Sequence, residues 1–230
     1  GSAGRACLSL SGASVRSRRK PALLDASLEA CYGEITAVTG VQEAAMETLQ
    51  ESMEQLPEEV WNTMPRLLTG AEVQWVPNLE ELMDLSRFCI GTTKNLLLEL
   101  PFRPWSDSMV NQIYDMIGHT GITPVIAHIE RYMKSQRRDL VEAVFDLGVP
   151  VQISAELLLH PFSRGQALRL LRSGRAQFIA SDSHNLDSRK PNMGPAIAVI
   201  QKKLGDEFIS TMGRLTDNLA GVPHRHSARR

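Results

Sequence analysis

Residues able to bind metal recur at nearly constant intervals along this chain. The apolar run AQFIAS leads directly into Asp182 and, two residues later, His184. Other polar residues end earlier apolar runs in the same way. The series is Glu72, Glu99, His128, Ser154 and Asp182, at intervals of 27, 29, 26 and 28 residues. Carboxylate and imidazole ligands without thiolates suit Mn²⁺, Fe or Zn²⁺, and the share of carboxylates favours manganese-like ions. The series therefore indicates a metal site.

Each member of the series also has a simpler interpretation, because polar residues often end strands as caps and turn formers. Glu99 in LLLELP and His128 in VIAHIER fit that interpretation poorly. A carboxylate or imidazole that follows an apolar run is costly to bury unless it is paired or binds a metal. Arg131 and Arg189 could hold a phosphate through their planar guanidinium groups, or could be ordinary surface arginines. Phosphate-ester hydrolysis is the reaction class that this combination favours.

An alternation of strands and helices would bring these residues together. Apolar runs predict strands at 35–39, 66–75, 95–100, 122–128, 149–154 and 176–181. Apolar spacing of three and four residues predicts helices at 41–56, 107–120, 138–148 and 166–174, the last two ending in a glycine typical of a helix C-cap. This order predicts a parallel sheet covered by helices, as a doubly wound sheet or a closed barrel.

The barrel is favoured because no GxGxxG or GxxxxGK[ST] motif follows any predicted strand. In barrels of this kind, catalytic groups gather where the carboxyl ends of the strands meet. The spacing of the series, about one strand and one helix per interval, would direct the polar side chains into one mouth.

The length and composition of the chain limit the classes of protein to which it can belong. With 230 residues, 43% of them hydrophobic, the chain is long enough for one α/β domain. The formal net charge of −1 predicts neither nucleic acid nor an anionic membrane as a partner. Three widely spaced cysteines without a CxxC pair predict reduced thiols, and no apolar run approaches the roughly 18 residues of a membrane span. We expect a soluble cytoplasmic protein.

The two ends differ in character from the middle of the chain. Residues 1–20 are small, Ser-rich and basic without helical or strand periodicity, and residues 223–230 are similar. We predict that both are disordered segments, with a single domain spanning residues 21–222.

Five segments together carry a resemblance to a known family. They are LLTGAEVQW, LLLELPFRPWSD, PVIAHIERY, VPVQISAELL and FIASDSHNLDSRKPNMGPAI. In this order and spacing they resemble the signature segments of the manganese-dependent tyrosine-protein phosphatases of the PHP (polymerase and histidinol phosphatase) superfamily, which accompany bacterial capsule and exopolysaccharide genes. The resemblance covers residues 66 to 222.

The resemblance implies a distorted (β/α)₇ barrel that holds up to three Mn²⁺ ions. Glu72 resembles the bridging carboxylate, Glu99 and His128 resemble ligands of the second ion, and Asp182 and His184 resemble ligands from the last motif. Arg131 and Arg189 match arginines near the substrate phosphate and are the candidate catalytic residues. The implied substrate is phosphotyrosine on a bacterial tyrosine autokinase, hydrolysed without a phosphocysteine intermediate. The oligomeric state stays open.

The sequence also departs from the family at its beginning. The family opens with a strand carrying His-x-His and later has a Thr-Pro-His loop, whereas no histidine precedes His119 here. By resemblance, only the second ion then keeps a full ligand set, from Glu72, Glu99 and His128, and fewer than three ions are expected. The first barrel strand would be lacking or replaced, although LLDASLEACYGE still resembles the first helix. Two alternatives follow: a non-catalytic binding protein that keeps the barrel, or another phosphomonoesterase such as a histidinol phosphatase.

Overall fold

A computed structural model describes residues 7–17, 20–31, 36–38, 67–183 and 189–222 of the chain. The first three ranges contain strands β1 (Cys7–Ser17), β2 (Lys20–Cys31) and β3 (Thr36–Val38). Six further strands follow. They are β4 (Leu67–Thr69), β5 (Glu72–Gln74), β6 (Asn95–Glu99), β7 (Thr123–Ile126), β8 (Gln152–Ser154) and β9 (Phe178–Ala180).

Helices alternate with the later strands, as the apolar spacing predicts. They are α1 (Leu79–Leu82), α2 (Asp107–Thr120), α3 (Arg138–Asp146), α4 (Glu156–Leu159), α5 (Pro161–Arg172), α6 (Met193–Leu204) and α7 (Asp206–Leu219), with 3₁₀ turns at Leu85–Phe88 and Ile129–Arg131. Gly148 and Gly174 follow α3 and α5 with φ of 68° and 72°, so both predicted glycine caps are confirmed. None of the described helices is long and apolar enough to cross a membrane.

All pairs among the described strands from β3 onward are parallel. β3 pairs with β4, β5 to β7 form a three-stranded sheet in chain order, and β8 pairs with β9. A single parallel bridge between Ile126 and Val151 links the end of β7 to the start of β8. The predicted α/β class with parallel strands is confirmed, and the described strands form separate short sheets.

Strand β6 lies at the centre of the three-stranded sheet and shows how the two faces differ. Leu96 and Leu98 are fully buried, whereas Leu97 and Glu99 on the opposite face are half-buried. Leu98 pairs with Ile126 of β7, which is also fully buried, and both belong to the main hydrophobic core. Successive strand residues point to opposite faces, so the packing of the leucines fixes the face on which Glu99 stands.

The predicted strand 66–75 is wrong as a single element. It is interrupted at Gly70 and Ala71, because Ala71 N donates to Phe88 O at 3.0 Å and Gly91 N donates to Thr69 O at 2.6 Å. Backbone groups of Phe88 and Gly91 therefore take the hydrogen bonds that a continuous strand would use. As a result Glu72 opens β5, whereas we expected it at a carboxyl end.

Within residues 1–20, for which we predict disorder, Cys7–Ser17 forms strand β1. This strand pairs with β2 in an antiparallel hairpin, and β2 covers most of the segment that resembles a first helix. Antiparallel pairing rests on backbone hydrogen bonds, so it does not require the alternating side-chain pattern that we sought. The predicted helix 41–56 and the tail 223–230 lie outside the described residues.

Candidate metal centre

Two carboxylates converge on one imidazole at the edge of the three-stranded sheet. His128 Nε2 lies 2.7 Å from Glu72 Oε1 and 3.6 Å from Glu99 Oε1. One ligand atom from each of the three side chains lies within 4.8 Å of the others, the spacing of groups that share a metal ion. The imidazole is 2% exposed, and the carboxylates of Glu72 and Glu99 are 24% and 25% exposed. The site is therefore closed beneath His128 and open on the side of the carboxylates.

The register of the strands explains this convergence. Glu72 pairs with Leu97 across β5 and β6, and Leu97 stands two residues before Glu99 on the same strand. Residues two apart, and residues directly paired in parallel strands, share one face of a sheet. Glu72 and Glu99 therefore point to the same side, although they occupy opposite ends of their strands.

His128 reaches the carboxylates through an unusual backbone conformation. β7 ends at Ile126, and His128 then takes a left-handed conformation with φ 32° and ψ 52°. A residue with a side chain adopts this region at some cost, so the surrounding structure must hold it there. The His128 amide donates to Gln152 Oε1 at 3.2 Å, and its carbonyl accepts from Arg131 N at 3.0 Å. Two hydrogen bonds therefore fix the turn that aims the imidazole.

Tyr132 stands on the other side of the imidazole. Its hydroxyl oxygen lies 3.4 Å from His128 Nδ1, and its ring packs 5.9 Å from the imidazole centroid. The Tyr132 side chain is fully buried. Its burial, together with the nearby charge of Glu99, raises the pKa of Tyr132 well above its ordinary value. The phenol therefore stays protonated. A neutral hydroxyl at Nδ1 leaves Nε2 directed at the carboxylates.

Asp182 belongs to a second cluster beside the first. Its Oδ2 accepts from the guanidinium groups of both Arg131 and Arg189. Burial would raise the pKa of Asp182, but the two guanidinium groups outweigh it and hold the pKa below its ordinary value. Like His128, Asp182 follows a strand in a left-handed conformation, with φ 50°. The carboxylate is therefore ionised and charge-paired within this cluster.

The structure thus divides the predicted site residues into two groups. Glu72, Glu99 and His128 come together as a triad, and Asp182 meets the two predicted phosphate-binding arginines. The Ser154 amide donates to Glu130 Oε1 at 3.2 Å, and the buried Ser154 hydroxyl has no hydrogen-bond partner among the described residues. His184 lies outside the described residues. Metal binding by any of these residues stays a prediction.

The chemistry of the triad fits a divalent cation. Two carboxylates and an imidazole without a thiolate are ligands for Mn²⁺, Fe or Zn²⁺. Two carboxylates that approach the same nitrogen repel each other unless a positive charge lies between them. A cation held there would offset the charges of both carboxylates and accept the imidazole as its third ligand.

Two supporting residues were absent from the sequence predictions. Gln152 is a polar side chain inside the fully buried strand β8, and a buried polar group needs a partner, which here is the His128 amide. Tyr132 follows His128 by four residues, the spacing at which side chains on a helical turn meet. Both signals are present in the sequence, although neither by itself indicates a metal site.

Comparison with known proteins bears on the same residues. The family model described as "Capsular polysaccharide synthesis, CpsB/CapC" matches residues 36–219, a range that contains the triad and the arginine cluster.

Several relatives carry the name tyrosine-protein phosphatase. The chain is 29% identical over 153 residues to tyrosine-protein phosphatase CpsB of Streptococcus agalactiae serotype III, covering 62% of this chain and 62% of that protein. It is 32% identical over 146 residues to tyrosine-protein phosphatase CpsB of Streptococcus pneumoniae, covering 59% of this chain and 60% of that protein. It is 29% identical over 149 residues to tyrosine-protein phosphatase YwqE of Bacillus subtilis, and this match covers 62% of this chain and 58% of that protein. The matched part therefore spans less than two thirds of the length of these relatives.

The fold agrees with these similarities. A solved structure from a study of YwqE from B. subtilis and CpsB from S. pneumoniae, described there as metal-dependent tyrosine phosphatases, matches with a TM-score of 0.65. The match covers 81% of this chain and 74% of that chain at 24% identity, so it bears on the fold alone. Since the family model spans most of the sequence, the chain belongs to the CpsB/CapC family of capsular polysaccharide synthesis proteins.

Proposed function

We propose that this chain is a metal-dependent protein-tyrosine phosphatase. The observation that carries the proposal is the convergence of Glu72, Glu99 and His128 within 4.8 Å. The names of the relatives support the reaction, and the adjacent arginines support an anionic substrate. Neither a binding protein nor a histidinol phosphatase is favoured by a feature of the site.

The two clusters would have different roles in phosphate hydrolysis, one binding the metal ion and the other binding the phosphate. Glu72, Glu99 and His128 would hold the metal ion, which when bound supplies Lewis-acid stabilisation to the phosphoryl oxygens. Arg131 and Arg189 would bind the same phosphate through planar guanidinium forks, which match its geometry. In the structure both guanidinium groups bind Asp182, so an incoming phosphate would compete with this carboxylate for them.

The finer features of the proposal rest on the family and on the donor set. The share of carboxylates favours Mn²⁺, and Asp182 and His184 are the candidates for ligands of further ions. We propose that the parallel strands belong to a distorted (β/α)₇ barrel, which the bridge between Ile126 and Val151 supports. The family description supports a substrate in capsule synthesis, for which we propose a phosphorylated tyrosine autokinase in the cytoplasm.

Turnover with and without metal tests the proposal. Purified protein loaded with Mn²⁺ should release phosphate from a phosphotyrosine peptide, and chelation should abolish the release. The change Glu99→Gln removes a charged ligand and should lower turnover by more than about 10-fold, since even outer partners of metal ligands contribute that much. The matched control is Glu81→Gln, because Glu81 is an exposed carboxylate of α1.

Two outcomes would contradict the proposal. One is a folded, metal-loaded protein whose turnover equals that of the chelated protein. The other is equal turnover in the Glu99→Gln and Glu81→Gln variants, which would show that phosphate release does not depend on the triad.

A further inference from the structure

A single carboxylate joins the turn that follows β7 to the end of β8. The 3₁₀ turn Ile129–Arg131 packs against β8. Within this turn, Glu130 Oε1 accepts a hydrogen bond from the Ser154 amide at 3.2 Å. The other oxygen, Glu130 Oε2, is buried and has no hydrogen-bond partner among the described residues. Within the described part of the chain, the contact with Ser154 is therefore what anchors this carboxylate.

The early end of β7 explains why β8 needs this hydrogen bond. Ala155 N donates to Ala180 O of β9 at 2.8 Å, so the amide of buried Ser154, one residue earlier, points to the β7 side of β8. Strand β7 has already ended there, and the chain turns away at His128. A buried amide requires an acceptor. The Glu130 carboxylate therefore takes the place of the backbone carbonyl that a longer β7 would supply.

The turn held in this way carries two of the predicted functional side chains. His128, two residues before Glu130, provides the imidazole of the triad, and Arg131, directly after Glu130, binds Asp182. Gln152 Oε1 anchors the start of the turn through the His128 amide at 3.2 Å, and Glu130 anchors its end. His128 stands in a left-handed conformation that its surroundings must maintain. Loss of either anchor would therefore let both functional side chains move.

We propose that Glu130 is a positioning residue that holds the His128 imidazole and the Arg131 guanidinium in a fixed relation to each other. The inference rests on the proposed function, in which the imidazole binds the metal ion and the guanidinium binds the phosphate. Glu130 acts on both groups through the backbone of the turn. The length of its side chain and its acceptor oxygen are what this role requires, and its charge is not, because the donor is a neutral amide.

Two conservative variants separate the hydrogen bond from the charge. Glu130→Gln keeps the acceptor oxygen and removes the charge, whereas Glu130→Asp keeps the charge and shortens the side chain. Equilibrium dialysis would give the affinity for Mn²⁺, and calorimetry with the Mn²⁺-loaded protein would give the affinity for inorganic phosphate. We expect Glu130→Asp to weaken Mn²⁺ binding by about 10-fold, as loss of an outer partner of a metal ligand does. It should weaken phosphate binding by about 2- to 12-fold, the net contribution of one hydrogen bond. Glu130→Gln should keep both affinities.

The matched control is Glu81→Asp, an equal shortening at an exposed carboxylate of α1, which should change neither affinity. A residue that only stabilises the fold would lower the free energy of unfolding in Glu130→Asp and leave both affinities unchanged, and that result would overturn the inference. Weaker binding in Glu130→Gln than in Glu130→Asp would overturn it too, because the charge would then be responsible. If all variants bind Mn²⁺ and phosphate as expected but the unaltered protein does not hydrolyse a phosphotyrosine peptide, the proposed phosphatase function fails and the role of Glu130 stands.

Discussion

Arg131 binds Asp182, so a residue expected to hold phosphate is bonded to a residue expected to hold metal. The same Asp182 oxygen also accepts from Arg189. The Asp182 carboxylate is 12% exposed and carries a charge that the two guanidinium groups offset. A carboxylate and a phosphate are recognised by guanidinium in the same bidentate way. Asp182 therefore stands where it would compete with a phosphate for both arginines.

Neutralising Asp182 should strengthen phosphate binding by the metal-free protein. The change Asp182→Asn keeps the shape of the side chain and removes the charge with which an incoming anion competes for Arg131 and Arg189. Hydrogen bonds to charged groups contribute about 1.5–3 kcal/mol, so we expect the affinity for inorganic phosphate to rise by about 10- to 150-fold. Calorimetric titration of phosphate in the presence of a chelator would measure the change.

The matched control for this prediction is Asp139→Asn. Asp139 also pairs with an arginine, Arg137, but the Asp139 side chain is 61% exposed and this ion pair includes neither Arg131 nor Arg189. Exposed ion pairs contribute little, so phosphate affinity should stay unchanged. Weaker phosphate binding in Asp182→Asn would show that the carboxylate positions the arginines and does not compete with the anion.

Removal of the imidazole should prevent metal binding at the triad. His128 provides the nitrogen that both carboxylates face, and its loss leaves Glu72 and Glu99 without the third donor. We expect His128→Ala to lower the affinity for Mn²⁺ by more than about 10-fold, because even the outer partners of ligands contribute 10- to 100-fold. Equilibrium dialysis with elemental analysis would give the ions bound per chain.

His160→Ala is the control for the loss of one histidine. The His160 side chain is 65% exposed and contacts Glu156 on the same helical turn. Its removal should leave metal content unchanged. Equal metal content in His128→Ala and His160→Ala would place the metal outside the triad.

Much of the fold follows from local pattern. The periodicity of residues 107–120 predicts a helix with the bounds that α2 has, and Ser106 and Gly121 supply the caps at its two ends. The interruption of the strand 66–75 does not follow in this way. It depends on backbone hydrogen bonds with the segment 88–91, which is distant in sequence, and no local signal specifies such a partner.

The candidate site was predictable to a similar degree. The regular intervals of the series predict that Glu72, Glu99 and His128 lie near one another, and they do converge, although Glu72 opens its strand and does not end it. The contact of Asp182 with the arginines could not be predicted, because it depends on how two long side chains turn in space. Sequence spacing fixes the backbone position of an arginine but leaves the direction of its guanidinium group open.

The central strand should be sensitive to a loss of volume. Leu98 is fully buried between β5 and β7, and it holds the face opposite Glu99. We expect Leu98→Ala to lower the free energy of unfolding by about 2–5 kcal/mol, because the neighbours only partly fill the cavity. Urea denaturation would measure this, with Leu82→Ala as control, since Leu82 is 64% exposed. Similar losses in both variants would contradict the central position of Leu98.

The Tyr132 hydroxyl should contribute to metal affinity more than to the packing of the protein. Tyr132→Phe keeps the ring that packs against His128 and removes the hydroxyl that lies 3.4 Å from Nδ1. Because an outer partner orients the ligand imidazole, the affinity for Mn²⁺ should fall by about 10-fold. The free energy of unfolding should fall by only about 1 kcal/mol, the net contribution of one hydrogen bond. Tyr114→Phe, at a ring that is 67% exposed, should change neither quantity. An unchanged metal affinity in Tyr132→Phe would mean that Gln152 and the backbone turn orient His128 without help from the phenol.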